Sequence, residues 1–394
     1  MRRYYCDHNA TTPLHPEAAA AVLAALGAGP GDPDAGREGT AGFGNPSSLH
    51  WAGREARNLV ENAREALAGM LDVHPSEIIF TSGGTEADNL AILGSTASGR
   101  LRGRHLVAAT FEHPAVLEPL RKLESEGWDV TWIDPDADGV VSSEAVAAAL
   151  RPETGLVTVM AANNETGAIQ PIAGIGAMLR PRGILFHCDG VQALGKIPGV
   201  RPRAWEVDYM AFSAHKINGP KGAGALYVRK GAPLQGLVLG GPQERRNRGG
   251  TENVPGIAGF GKAVEAWVRG GAEERDRLAL LRDGLERALR ARIPGLIVNS
   301  AEAPRLPGTL NATLPGCKSD LMVMGLDMRG VAVSAGSACA SGSVKYSHVL
   351  LAMGKGREAA SSSLRFSLGA GNNVEELEPI AETVSEVAAS VRGL

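Results

Sequence analysis

The chain has 394 residues, 44% hydrophobic and 21% charged, with a formal net charge of -3. This balance excludes wholesale disorder, and the length calls for two domains with a substantial core. The small net charge gives no general attraction to nucleic acid or to an anionic membrane, and no apolar run is long enough to span a bilayer.

The first residues, Met1-Arg2-Arg3-Tyr4-Tyr5-Cys6-Asp7-His8, lack the apolar core of a signal peptide, so a cytoplasmic protein is expected. Residues 27–42, rich in Gly, Pro and Asp, predict a surface loop. Strand-like runs follow at 78–81, 105–109, 130–133, 156–160, 183–188 and 209–212, with helical spacing at 86–93 and 114–123. Such alternation predicts an α/β unit built on a mostly parallel sheet, with ligands at the carboxyl ends of its strands. Beyond about Val254 the texture changes. A charged helix over 265–292, strands at 296–298, 309–313 and 331–333, and a last helix from about Val374 predict a smaller α+β domain.

Residues able to do chemistry fall at the predicted strand ends. Phe80-Thr81-Ser82-Gly83-Gly84-Thr85-Glu86 joins a strand to a helix; its glycines and the helix N-terminus suit an anion, although the same residues also make an ordinary N-cap. Asp189 directly follows a strand and can pair with a protonated pyridine nitrogen or simply cap a turn. Lys216, in Phe212-Ser213-Ala214-His215-Lys216, enters at a strand end as a Schiff-base lysine would. Taken in this order, the three predict a cofactor site.

Cysteines occur at 6, 188, 317 and 339 with no CxxC pair, which argues against a zinc ribbon and for reduced thiols. Cys188 lies in an apolar strand and reads as buried. Cys339 sits among small residues, Ser334 to Ser343, which cannot anchor themselves by packing, so an exposed, nucleophilic thiol is expected there.

The chain resembles the NifS/IscS cysteine desulfurases, class V aminotransferase-type enzymes that use pyridoxal 5'-phosphate. The resemblance rests on Asp7 to Pro13, Gly44 to His50, Thr81 to Asn89, Glu112-His113, Asn163 to Gly167, Asp189 to Ala193, the lysine motif, Gly250 to Asn253, Gly336 to Cys339 and Ser363 to Ser367, in the family's order. It implies the fold-type-I transferase architecture: a large domain over 15–260 with a seven-stranded sheet, and a small domain over 1–14 and 261–394 that carries the cysteine loop.

Position by position, the resemblance implies that Lys216 holds the cofactor and moves the substrate's α-proton. Gly84, Thr85, Ser213 and His215 hold the phosphate, and Thr251 reaches the phosphate of a second subunit in a homodimer. Asp189 pairs with the ring nitrogen, Gln192 bonds the phenolic oxygen, and His113 stacks on the ring and shuttles protons. Asn164 and Arg365 grip the carboxylate of L-cysteine, and Cys339 takes its sulfur as a persulfide for an acceptor such as an Fe–S scaffold, leaving alanine.

Two departures stand out. Asn247 replaces the first arginine of the segment before Gly250-Thr251, although Arg248 keeps the second, and the 27–42 loop is longer than usual. Competing readings are a selenocysteine lyase or another class V enzyme, and a non-catalytic sulfur-relay or scaffold protein. A metal site at Cys339 lacks ligand spacing from His50 or His348, although a transient Fe–S contact at Cys339 is conceivable.

Overall fold

The computed structural model describes residues 2–27, 42–336 and 346–393. A short strand β1 (Tyr4–Tyr5) leads into helices α1 (Pro16–Ala25) and α2 (Trp51–Leu71). Strands and helices then alternate: β2 (Ile78–Thr81), α3 (Gly84–Ala97), β3 (His105–Ala109), α4 (Pro114–Ser125), β4 (Asp129–Ile133), α5 (Ser143–Ala149), β5 (Thr154–Thr158), α6 (Ile172–Leu179) and β6 (Leu185–Asp189). Strands β7 (Tyr209–Ser213) and β8 (Gly224–Val228) complete a seven-stranded sheet of order β2-β8-β7-β6-β5-β3-β4. β8 runs antiparallel to both neighbours and the other pairings are parallel, as the α/β pattern predicts.

Period-two alternation sorts the strand residues onto two covered faces. Phe80, Val107, Val157, Phe186 and Phe212 pack with α2 and α6 on one side, and Ile79, Leu106, Ala108, Leu156 and Leu226 with α3 and α4 on the other. The predicted strand over 156–160 stops at Thr158, because the Met160 N–H goes to Glu112 Oε1 (2.6 Å) instead of to a neighbouring strand.

Helix α7 (Val254–Arg292) runs 39 residues. It begins eleven residues before the charged stretch that its sequence advertises. Gly256, Gly259 and Gly261 disguise this start, but close packing requires two of them. A Cβ on Gly261 would stand 2.7 Å from Ala63 Cβ, and one on Gly259 would stand 2.6 Å from Val22 Cγ2. Ile257, Phe260 and Val264 of α7 join the core of the large sheet, whereas Leu281, Leu285 and Leu289 join a second core.

That second core is built by β9 (Ile297–Asn299), β10 (Thr309–Thr313), α8 (Ser319–Asp327), β11 (Val331–Ala332), β13 (Ser363–Ser367) and α11 (Leu377–Arg392); β12 (Ser334–Ala335) pairs beside it, while α9 (His348–Ala352) and α10 (Gly356–Ser361) send Val349, Leu350 and Ala360 to the first core. The predicted 331–333 strand divides: β11 pairs with β1, while β12 joins the antiparallel sheet β12-β13-β10-β9. No helix among the described residues is long and apolar enough to cross a membrane.

Candidate active site

The carboxyl ends of β2, β6 and β7 converge. Gly83 is the N-cap of α3 and supplies no side-chain cap, so the first N–H groups of the helix are left to an anion. Gly84 packs so closely that a Cβ there would lie 2.5 Å from Val191 Cγ2 and 3.6 Å from Ser213 Cβ. Gly224 is pressed against Gly83 in the same way, at 2.6 Å. The turn is held from outside by Glu86, which accepts from the Ser82 N–H (2.9 Å) and pairs with Arg248 (2.9 Å). Thr85, in the first turn of α3, accepts Asn89 Nδ2 through its carbonyl (2.9 Å).

Asp189 ends β6, buried, with Oδ1 accepting the Val191 N–H at 2.8 Å. Burial raises its pKa, against the pull of His113, that N–H and Lys216. Lys216 follows β7 in a single 3₁₀ turn and donates to the carbonyls of Asn9 (2.7 Å) and Ala10 (2.8 Å). Burial and the nearby Arg365 cation bring its amine down to about 8, opposed by Asp189 and Asp7. Next to it, His215 lies 3.2 Å from Thr11 Oγ1, and burial, then Lys216, Lys221 and Lys196, depress it to about 4.

His113 caps α4, its Nδ1 accepting the Ala115 N–H at 3.1 Å. Part of its ring meets solvent, yet the protein packed around the rest lowers its pKa; Asp189 opposes that shift, while Lys216 and His348 add to it. Gln192 is buried and donates to the Asn9 carbonyl (3.0 Å). Arg365, on β13, donates to the Asn164 carbonyl (3.0 Å) and to Asp7 (2.5 Å), while its buried Nε has no partner among the described residues. Thr251 is exposed on this single chain.

Lys216, Asp189, His113, Gln192, His215, Ser213 and Gly84 are thus brought together, with Arg365 and Asn164 joined to them through Asn9 and Asp7. Five residues given no role from sequence belong to the same place: Asp7, His8, Asn9, Glu165 and Lys196. Lys196 lies four residues beyond Gln192 in a stretch of turns and bonds its side chain at 2.6 Å. Glu165 is buried, takes a 2.5 Å hydrogen bond from Ser347 Oγ, and lies where a Cβ on Gly336 would fall 2.3 Å from Oε2.

Cys339 lies outside the described residues, as does most of the 27–42 loop. The other three cysteines are buried and free; burial pushes Cys6 up to about 12 and also raises Cys188, so neither is a thiolate near neutral pH. Among the described residues no group of His, Cys, Asp and Glu is placed to hold a metal ion. Asn247, the departure beside Arg248, donates to the Glu244 carbonyl (3.0 Å).

A phosphorylated pyridine aldehyde needs an amine of lowered pKa, a helix N-terminus for its phosphate and an acid for its ring nitrogen. Lys216, the uncapped start of α3 beside Ser213, and Asp189 meet those needs, so the residues present fit pyridoxal phosphate.

The chain is similar to known proteins along its whole length. The profile of the family described as aminotransferase class-V matches residues 33–380. The putative cysteine desulfurase IscS 1 of Bacillus subtilis is 42% identical over 388 residues, covering 98% of this chain and 99% of that protein. Among solved structures, a NifS-like protein is 36% identical with a TM-score of 0.89, covering 99% of this chain and all of its own. SspA, solved in complex with cysteine, is 34% identical with a TM-score of 0.80, covering 93% and 99%. With its fold, its pocket and its full-length likeness in accord, the chain belongs to the class-V aminotransferase family, in the branch of the NifS- and IscS-type cysteine desulfurases.

Proposed function

We propose that this protein is a cysteine desulfurase, converting L-cysteine to L-alanine with sulfur passed to Cys339. The observation that carries the reading is Lys216, an amine of lowered pKa at the end of β7, facing buried Asp189 and the uncapped helix start at Gly84. When bound, pyridoxal phosphate supplies an electron sink for the carbanion left at the substrate's α-carbon.

The protein's own residues do the rest. Gly84 and Thr85 offer backbone N–H groups to the phosphate, and Ser213 and His215 offer side chains. Asp189 would pair with the ring nitrogen, Gln192 would bond the phenolic oxygen, and His113 would stack on the ring. Arg365, with its unpartnered Nε, and Asn164 hold the substrate carboxylate. Lys216, neutral above about 8 and partly so below, holds the cofactor and carries the α-proton. The Cys339 thiolate forms an S–S bond to the substrate sulfur as the C–S bond breaks, and the carbon takes up a proton to leave alanine. A homodimer in which Thr251 of each subunit completes the other's phosphate site accounts for its exposure here. An Fe–S scaffold is the proposed acceptor of the sulfur.

The test is to incubate the protein with cysteine and map the persulfide by mass spectrometry. The extra sulfur is expected on Cys339, with Cys339→Ala releasing no alanine and Lys216→Ala losing the visible cofactor band. Alanine formed at the normal rate by Cys339→Ala would sink the reading.

A further inference from the structure

Lys196 enters no part of the chemistry above, yet its amine stands inside the site. Its Nζ donates to Gln192 Oε1 at 2.6 Å and to Asn9 Oδ1 at 3.2 Å. Asn9 is itself fixed, because its Nδ2 donates to the Asn164 carbonyl (3.1 Å) and to Thr309 Oγ1 (2.9 Å). A protonated lysine donates and never accepts, whereas the two ends of an amide differ. The contact therefore turns Oε1 of Gln192 toward Lys196 and sends Nε2 the other way. One Nε2 hydrogen goes to the Asn9 carbonyl at 3.0 Å, the same carbonyl that takes Lys216 Nζ at 2.7 Å. The second hydrogen remains the amide's free donor.

We propose that Lys196 is a positioning residue of the active site: by donating to Oε1 it sets the flip of the Gln192 amide, so that Gln192 presents N–H and not C=O to the cofactor's phenolic oxygen. This rests on the reading of the pocket as a pyridoxal phosphate site. Nearby groups support it. No carboxylate among the described residues lies within ion-pair distance of Lys196, and its amine bonds Gln192 and Asn9 instead. Burial, then the Lys216 and Arg365 cations, bring it down to about 7, and a neutral amine still has two hydrogens for the two oxygens. Lys196, Lys216, Asn9 and His8 also line one small cavity of about 30 Å³, so the groups in question share one space.

The experiment uses the full chain loaded with pyridoxal phosphate, and reads cofactor affinity and the pH midpoint of the visible band. Lys196→Met and Gln192→Leu should each weaken the cofactor on the order of tenfold, the worth of one buried hydrogen bond. Both should move the midpoint upward, the double variant should match the single ones, and Lys196→Arg, which keeps the donors, should recover most of the loss. A wild-type midpoint in Lys196→Met, or additive effects in the double variant, overturns this inference alone. Gln192→Leu leaves Lys196 in place, so a wild-type midpoint there overturns it even where Lys196→Met is too unstable to isolate. A wild-type chain that takes up no cofactor, or whose colour survives Lys216→Ala, overturns the underlying reading as well.

Discussion

Glu165 lies against Gly336, just before the Cys339 segment, and is bonded by Ser347, just after it. Burial raises its pKa from 4.5 to about 7, against the Ser347 hydrogen bond and the Arg365 cation. The folded chain therefore keeps a proton that the unfolded chain has lost, and stability contributed by this group falls as pH rises from about 4.5 through about 7. Glu165→Gln keeps the shape without the ionisation. Its melting temperature relative to wild type should climb across that window and level off above it; a difference flat with pH would show the carboxyl ionised throughout. The sequence carried Lys216 and Asp189 clearly, since a strand end is a local pattern. Glu165 and Lys196 were not legible in that way. Their roles depend on partners such as Ser347 and Asn9, 182 and 187 residues away, and no spacing within a motif encodes those contacts.

Among the elements, β2 lies at the edge of the large sheet, where free backbone groups need cover. Three side chains provide it, one of them Arg245, which donates to the Ile78 carbonyl (2.5 Å). Arg64 donates to the Ile78 carbonyl (2.8 Å), and Glu244 accepts the Phe80 N–H (3.0 Å), while Arg64 and Glu244 pair with each other at 2.8 Å, both buried. To reach in, the chain holds Glu244, Arg245 and Arg246 at φ of 43°, 56° and 68°, a left-handed run that costs on the order of 1 kcal/mol or more per residue. Glu244→Leu leaves buried Arg64 with only the half-exposed Glu61 as a carboxylate partner and should cost up to about 3–5 kcal/mol in denaturant melts. The double variant with Arg64→Met should recover a good part of that loss; an additive double variant would show that the two do not act as a pair. Because the phosphate turn follows β2 by one residue, this cover also anchors Gly83 and Gly84. The sequence showed the strand but not its lid, since positive φ at three non-glycine residues has no local signature.

Over the whole molecule, α7 links the two cores, and between its last large-core contacts and Leu278 it carries Gly270-Gly271. Gly270 is exposed, with nothing near its missing Cβ, whereas a Cβ on Gly271 would stand 2.9 Å from Trp267. Gly270→Ala should stabilise the chain by about 0.5–1 kcal/mol through helix propensity, and Gly271→Ala should not; destabilisation by Gly270→Ala in a denaturant titration would mean that the helix needs its freedom there. The first dozen residues tie the same two parts together from the other side. β1 pairs with β11, the Asn9 N–H donates to Ser367 Oγ at 2.9 Å, and Thr12 takes the Asn218 N–H at 2.8 Å. The Asn9 and Ser367 contact spans 358 residues. On a ribosome adding about 5–20 residues per second, Asn9 is made roughly 20–70 s before its partner. The large sheet can close while synthesis continues, but the carbonyl on which Lys216 and Gln192 hang settles only when translation is nearly complete. Catalytic competence is then the last property this chain acquires as it is born, and the earliest residues out are among the last to find their place.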